Sequence, residues 1–163
     1  MKKTLLFFFI FSNGILFSQK NNALKSYSFE EAYNLQEKEK KPIVIFFHTK
    51  WCKYCFGMKK KTFSDKKVID LLNKYFYFIP FDAESKDLIK IKDKIFKNES
   101  GTHQIAQVLA SKNNTISYPS TVILSANNII DEQIDSFLSA EEISKILTKY
   151  IAKKIQTKRM LPK

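Results

Sequence analysis

Trp51-Cys52-Lys53-Tyr54-Cys55 holds both cysteines of the 163-residue chain, so any sulfur chemistry happens there. Two intervening residues let one turn of backbone bring the sulfurs within bonding distance. The pair follows the apolar run Pro42-Ile43-Val44-Ile45-Phe46-Phe47 and precedes Phe56-Gly57-Met58-Lys59-Lys60-Lys61, which can continue as a helix. A strand, a short loop and a dithiol at a helix start make a reactive thiol rather than a structural one, because the positive end of the helix favours the thiolate.

The first 18 residues read as a secretory signal peptide. Met1-Lys2-Lys3 is a basic start, Thr4 to Phe17 is largely apolar, and Ser18 is a small residue at a plausible cut before Gln19. Thr4 to Phe17 falls short of the roughly 20 residues that span a bilayer, which argues against an uncleaved anchor. The mature chain is then residues 19–163, exported to the periplasm or secreted, with no membrane-spanning segment left and disulfides able to persist. A disulfide closing so short a loop constrains the unfolded chain little, so a structural staple is a poor reading. Zinc is equally poor, since two thiolates need two more ligands and the remaining histidines are His48 and His103.

Loss of Lys2 and Lys3 takes the 28 basic side chains to 26 against 16 acidic, and the net charge from +12 to +10. The lysines are spread along the chain, without a basic arm or a nucleic-acid motif, so they read as a solvated surface rather than a nucleic-acid interface.

The remaining elements follow from caps and periodicity. Ser28-Phe29-Glu30-Glu31 fits a capping box and opens a helix to about Lys40, stopped by Pro42. Residues 43–47 suit a strand buried on both faces. A helix from about Cys52 to Thr62 follows, then a second helical piece capped by Ser64-Asp65, then a strand from Tyr75 to Phe81. Residues 85–101 form an insert, read as a hairpin turning at Lys92-Asp93, with a helix as the alternative. A helix from His103 to about Ala110, a loop over 112–115, a strand over 120–124 and its hairpin partner over 129–134 come next. Ser139-Ala140-Glu141-Glu142 caps the last helix, which frays after Ile155 into a basic tail. The order predicts an α/β domain with a mixed central sheet and helices on both faces.

The Trp-Cys-x-x-Cys run after a buried strand, with Tyr118-Pro119-Ser120 before a later strand, resembles the thioredoxin superfamily over about residues 28–155. Lys61-Thr62-Phe63-Ser64-Asp65-Lys66-Lys67-Val68 is similar to secreted thioredoxin-like proteins and to the C-terminal domain of DsbD. The resemblance implies that Cys52 is the attacking thiolate and Cys55 the resolving thiol. It makes Pro119 a cis-proline facing the dithiol, Tyr118 a backbone edge for an extended substrate, and Trp51 a shield on one side of the sulfurs. It implies no cofactor; the partners are protein disulfide or dithiol substrates and a protein that recycles the pair. Two departures stand out. Phe46 occupies the place, six before the first cysteine, where thioredoxins often carry a buried Asp, which leaves water or an acid such as Glu84 to move protons. Lys53-Tyr54 separates the cysteines, and Lys53 adds positive charge beside Cys52.

The function expected is that of an exported thiol–disulfide oxidoreductase, a reductase rather than an oxidase by analogy with reducing domains. The alternative is a thioredoxin-fold module that holds a client protein or a soft metal such as copper through the two thiols. His48, four before Cys52, reads as the cap of a buried strand, with tuning of the thiol or metal binding beside it as the alternative; His103 reads as structural or exposed, and Met58 as core.

Overall fold

Why the chain folds around the dithiol is visible in one strand. In the computed structural model, which describes residues 23–160, β1 (Ile43–His48) is buried along its whole length. It is central in a four-stranded sheet of order β2-β1-β7-β8, with β2 spanning Tyr77–Asp82, β7 Ser120–Leu124 and β8 Ile130–Ile134. β1 runs parallel to β2 and antiparallel to β7, and β7 is antiparallel to β8. The expected mixed sheet is therefore present. The proposed signal peptide lies outside the described residues.

Alternation along β1 divides the core in two. Val44 and Phe46 pack with Cys52, Cys55, Met58, Phe63, Val68, Leu72, Ile143 and Leu147. Those partners belong to α2 (Lys53–Gly57) and the turn that follows, α3 (Lys66–Tyr75) and α5 (Ala140–Met160). Ile43, Ile45 and Phe47 point the other way, into a cluster with Phe29 and Ala32 of α1 (Phe29–Lys38) and Ile105 and Ala106 of α4 (Gln104–Leu109). Helices thus cover both faces.

Local chemistry sets the element ends. Ser28 accepts from Glu31 N–H at 3.1 Å while the Glu31 carboxylate accepts from Ser28 N–H at 2.7 Å, so the first capping box is complete. Ser139 and Glu142 repeat it at α5. Asp65 caps α3 through Lys67 N–H and Val68 N–H.

The insert is the hairpin expected: β3 (Ile89–Ile91) pairs with β4 (Lys94–Phe96), and Lys92 takes a positive φ of 54° in the turn. It is tied to the body by Lys90 N–H donating to Glu30 Oε1, and by Asn98 Nδ2 donating to the Glu84, Ser85 and Gly101 carbonyls.

Four boundaries differ from the sequence reading. The helix expected over Cys52–Thr62 is α-helical to Gly57 and then a π-helical turn over Met58–Thr62, closed by Phe63 N–H donating to Met58 O at 2.9 Å. α3 continues through Tyr75, so β2 begins at Tyr77. The loop over 112–115 is a small hairpin of β5 (Ser111–Lys112) and β6 (Thr115–Ile116). Its two-residue turn has positive φ at Asn113 and Asn114, a geometry asparagine tolerates. The basic tail does not fray at Ile155: α5 continues to Met160, through residues that are good helix formers with no Gly or Pro among them.

Candidate active site at the start of α2

Cys52 is the N-cap of α2, in extended backbone, and its Sγ accepts from Cys55 N–H at 3.0 Å. The cysteines are joined by a disulfide with an S–S length of 2.04 Å. Cys52 is 6 % exposed and Cys55 1 %, which matches the expected order of access. A thiolate at Cys52 would keep that backbone donor and sit at the positive end of the helix.

Residues 118–119 lie at the dithiol end of the sheet. Tyr118-Pro119 is a cis peptide, and Ser120, the next residue, is the register partner of Phe47. The loop before β7 therefore sits at the end of β1 from which the dithiol loop departs. Trp51 is 66 % exposed and meets the Tyr118 ring edge to face at 6.0 Å. Its indole N–H donates to Glu84 Oε1 at 2.9 Å. That gives Glu84 a different task from the proton carrier raised by the sequence: its carboxylate anchors Trp51. Burial, and then the Glu84 charge, push the Tyr118 hydroxyl above its usual range.

A second aromatic pair stands beyond the cysteines. Tyr54, 71 % exposed, has its ring 6.4 Å from Phe137. Gly57 faces the same ring: a Cβ there would meet Phe137 Cε2 at 3.4 Å, ordinary van der Waals contact. Sequence reasoning missed this pair, because Phe137 lies in the loop between β8 and α5 with no periodicity to mark it.

Phe46 is fully buried, with ring centroids 4.8 Å from Phe63 and 5.6 Å from His48. The place often held by an acid is therefore sealed with aromatic packing. His48 lies two residues on, at the buried end of β1, and on the same face as Val44 and Phe46. Lys59 Nζ reaches His48 Nδ1 at 3.2 Å. Burial, reinforced by the Lys59 charge, lowers the His48 pKa to about 4, so the ring is neutral and accepts from the ammonium. Burial also lowers the Lys59 ammonium from its usual range, against the opposing pull of Asp82. On the same face, Thr121 is the register partner of Phe46, and its buried Oγ1 has no hydrogen-bond partner among the described residues.

Two other residues fall where expected or close to it. Met58 is fully buried core, and its Sδ accepts from Leu138 N–H at 3.5 Å. His103 is structural and wholly buried: its Nδ1 accepts from Ile105 N–H to cap α4, and Nε2 is left to donate to Asp87 O at 3.1 Å. Among the described residues, no group of three or more His, Cys, Asp or Glu is placed to hold a metal ion, and no helix is long and apolar enough to cross a membrane.

Solved structures with this architecture include a thioredoxin from Thermus thermophilus. It is 19 % identical over 80 % of this chain and 89 % of that one, with a TM-score of 0.60. The DsbH oxidoreductase is 19 % identical over 77 % of this chain and 83 % of its own, with a TM-score of 0.56. The oxidised C-terminal domain of Neisseria meningitidis DsbD is 16 % identical over 72 % of this chain and 88 % of its own, with a TM-score of 0.50. At these identities the likeness is one of fold. A search of curated proteins by sequence gives no match. The family model described as a thioredoxin-like domain matches residues 29–151, from the first residue of α1 to well inside α5, and the chain belongs to that family.

Proposed function

We propose that the protein is an exported thiol–disulfide oxidoreductase working as a reductant of protein disulfides, with residues 19–163 as the mature body. The observation that carries the reading is Cys52 capping α2 with its sulfur on Cys55 N–H, beside a partly open aromatic wall. In the reduced protein the Cys52 thiolate attacks one sulfur of a substrate disulfide. A Cys52–substrate mixed disulfide forms, and the other substrate sulfur leaves as a thiolate that takes a proton from water. The Cys55 thiol loses its proton and attacks Cys52 Sγ. The Cys52–Cys55 disulfide forms and the second substrate thiol is released. Two electrons have passed to the substrate, and a dithiol partner must return them. Tyr118 would offer its backbone to the substrate strand, with Trp51 and Pro119 bounding the sulfurs. Export rests on the basic and apolar character of the first 18 residues.

Insulin reduction with a supplied dithiol tests the activity. The parent should precipitate the insulin B chain and Cys52→Ser should lose that catalysis; a parent no faster than the dithiol alone rejects the enzyme reading. The midpoint potential of the pair tests direction: a value near about −270 mV supports a reductant, and one near about −120 mV an oxidant.

A further inference from the structure

The resolving step needs a thiolate at Cys55, yet Cys55 is 1 % exposed and packed in an apolar cluster with Phe46 and Met58. An apolar enclosure resists ionisation of a thiol. Phe46 supplies neither a base nor a charge. Two observations show what this chain has in its place. His48 is on the sheet face that carries Val44 and Phe46, the face against which the dithiol helix packs, and its ring meets that of Phe46. Lys59 follows Cys55 by four residues. It stands about one turn further along the same helix, just where the backbone passes from α to π geometry. Lys59 is an exposed residue overall, but its ammonium turns inward onto His48 Nδ1 at 3.2 Å rather than out to water.

We propose that Lys59, held inward by His48, is a positioning residue whose fixed positive charge favours the Cys55 thiolate in the resolving step. The inference rests on the oxidoreductase reading for its purpose, though not for its measurement. The neutral imidazole serves as the acceptor that aims the ammonium. The Cys55 proton passes to water, the Cys55 sulfur bonds to Cys52 Sγ, and the substrate sulfur leaves with the electron pair of the broken bond. The other charged groups at this end of the sheet pull in different directions. Asp82 at the end of β2 shares the Lys59 charge and opposes it, and Glu84 is committed to Trp51. Lys50 and Lys53 lie exposed in the dithiol loop, where solvent screens them. Lys59 is thus the cation in this group that a buried acceptor holds in place. Its removal would leave the Asp82 charge uncompensated at this end of the sheet.

The test uses Cys52→Ser, in which Cys55 is the sole thiol, and follows thiolate absorbance against pH. Adding Lys59→Met should move the midpoint upward by about half to one pH unit, and Lys59→Arg should restore most of it. Adding His48→Phe, which keeps the lysine but removes its acceptor, should move the midpoint in the same direction by less. Unchanged midpoints in both Lys59→Met and His48→Phe, with far-UV circular dichroism like the parent's, would overturn the proposal. So would a shift in Lys59→Met that Lys59→Arg fails to restore, because that outcome assigns the effect to packing. The titration needs no turnover. A parent inactive on insulin but showing the Lys59 effect would reject the functional reading and leave this electrostatic link standing.

Discussion

The two faces of β1 are built from alternate residues of the same six-residue strand, and they do different jobs. Ile43, Ile45 and Phe47 face α1 and α4 and meet Phe29, Ala32, Ile79, Phe81, Ile105 and Val122. The buried hydroxyl beside Phe47, that of Ser120, is satisfied by donating to Asp135 Oδ1 at 2.7 Å. The face toward α2 starts the same way with Val44 and Phe46, then ends in His48, and carries the Thr121 hydroxyl, which has no hydrogen-bond partner among the described residues. A protein tolerates unsatisfied or titratable groups in its interior at a cost, and both faces carry some of it: the α1/α4 side holds the buried His103 and a Gln36 Oε1 without a hydrogen-bond partner among the described residues. The adjoining helix is irregular as well, passing from α to π geometry immediately after Gly57. What sets the dithiol face apart is where its polar groups stand: His48 and Thr121 flank Phe46, which packs with both cysteines.

The largest effect that would break this contrast is a truncation on the packed face. Phe47 is fully buried and its ring meets Phe81 edge to face at 5.9 Å. Phe47→Ala should cost about 3–5 kcal/mol in urea unfolding. The thiol midpoint and reduction potential of the folded fraction should stay at parental values. A large shift in either would mean that the faces are coupled through the strand and that the division drawn here is wrong.

The second effect belongs to the dithiol face and depends on pH. The His48 pKa falls to about 4 in the fold, mainly through burial, whereas an unfolded histidine titrates near about 6.5. Between those values the unfolded chain binds more protons, so stability rises with pH across the window. The contribution is fully present above about 6.5 and is lost as pH falls through 4. The ring sits at a strand end and the Asp82 charge opposes the shift, so the loss should be about 1–2 kcal/mol, less than the full shift implies. The urea midpoint of the parent should therefore fall relative to that of His48→Phe as pH drops from 7 to 4. Parallel curves would show that His48 ionises freely in the fold.

How far the sequence revealed this division can be judged residue by residue. The run from Ile43 to Phe47 identified a central strand, and the two capping boxes placed the starts of α1 and α5. Those signals are local, because a cap or a periodicity is complete within a few residues. The dithiol at a helix start and the cis peptide before Pro119 were equally legible. The Asn113-Asn114 turn had a local signature too, but its two-residue strands are too short for periodicity to mark them. What stayed hidden depends on distant pairings. Glu84 meets Trp51 across 33 residues, and Phe137 reaches Tyr54 from the loop before α5. His48 could have been assigned to the dithiol face from the period of two alone. Its lysine partner needed the packing of α2 over the strand.

The smallest predicted effect concerns the rim, where neither face of the sheet is involved. The Trp51 indole is held by Glu84 in a hydrogen bond exposed to solvent, and such bonds add little to folding. Glu84→Ala should change stability by no more than about 0.5 kcal/mol. Its consequence should lie in binding, since an unanchored Trp51 loses its fixed orientation against the Tyr118 ring. KM for a disulfide peptide should then rise by about threefold to tenfold with kcat little changed, a loss of about 0.7–1.4 kcal/mol of binding that substrate and transition state share. Glu84→Gln keeps an acceptor oxygen and should retain most of the parental KM. A fall in kcat at constant KM would instead place Glu84 in the proton transfers at Cys55, the role its hold on Trp51 argues against.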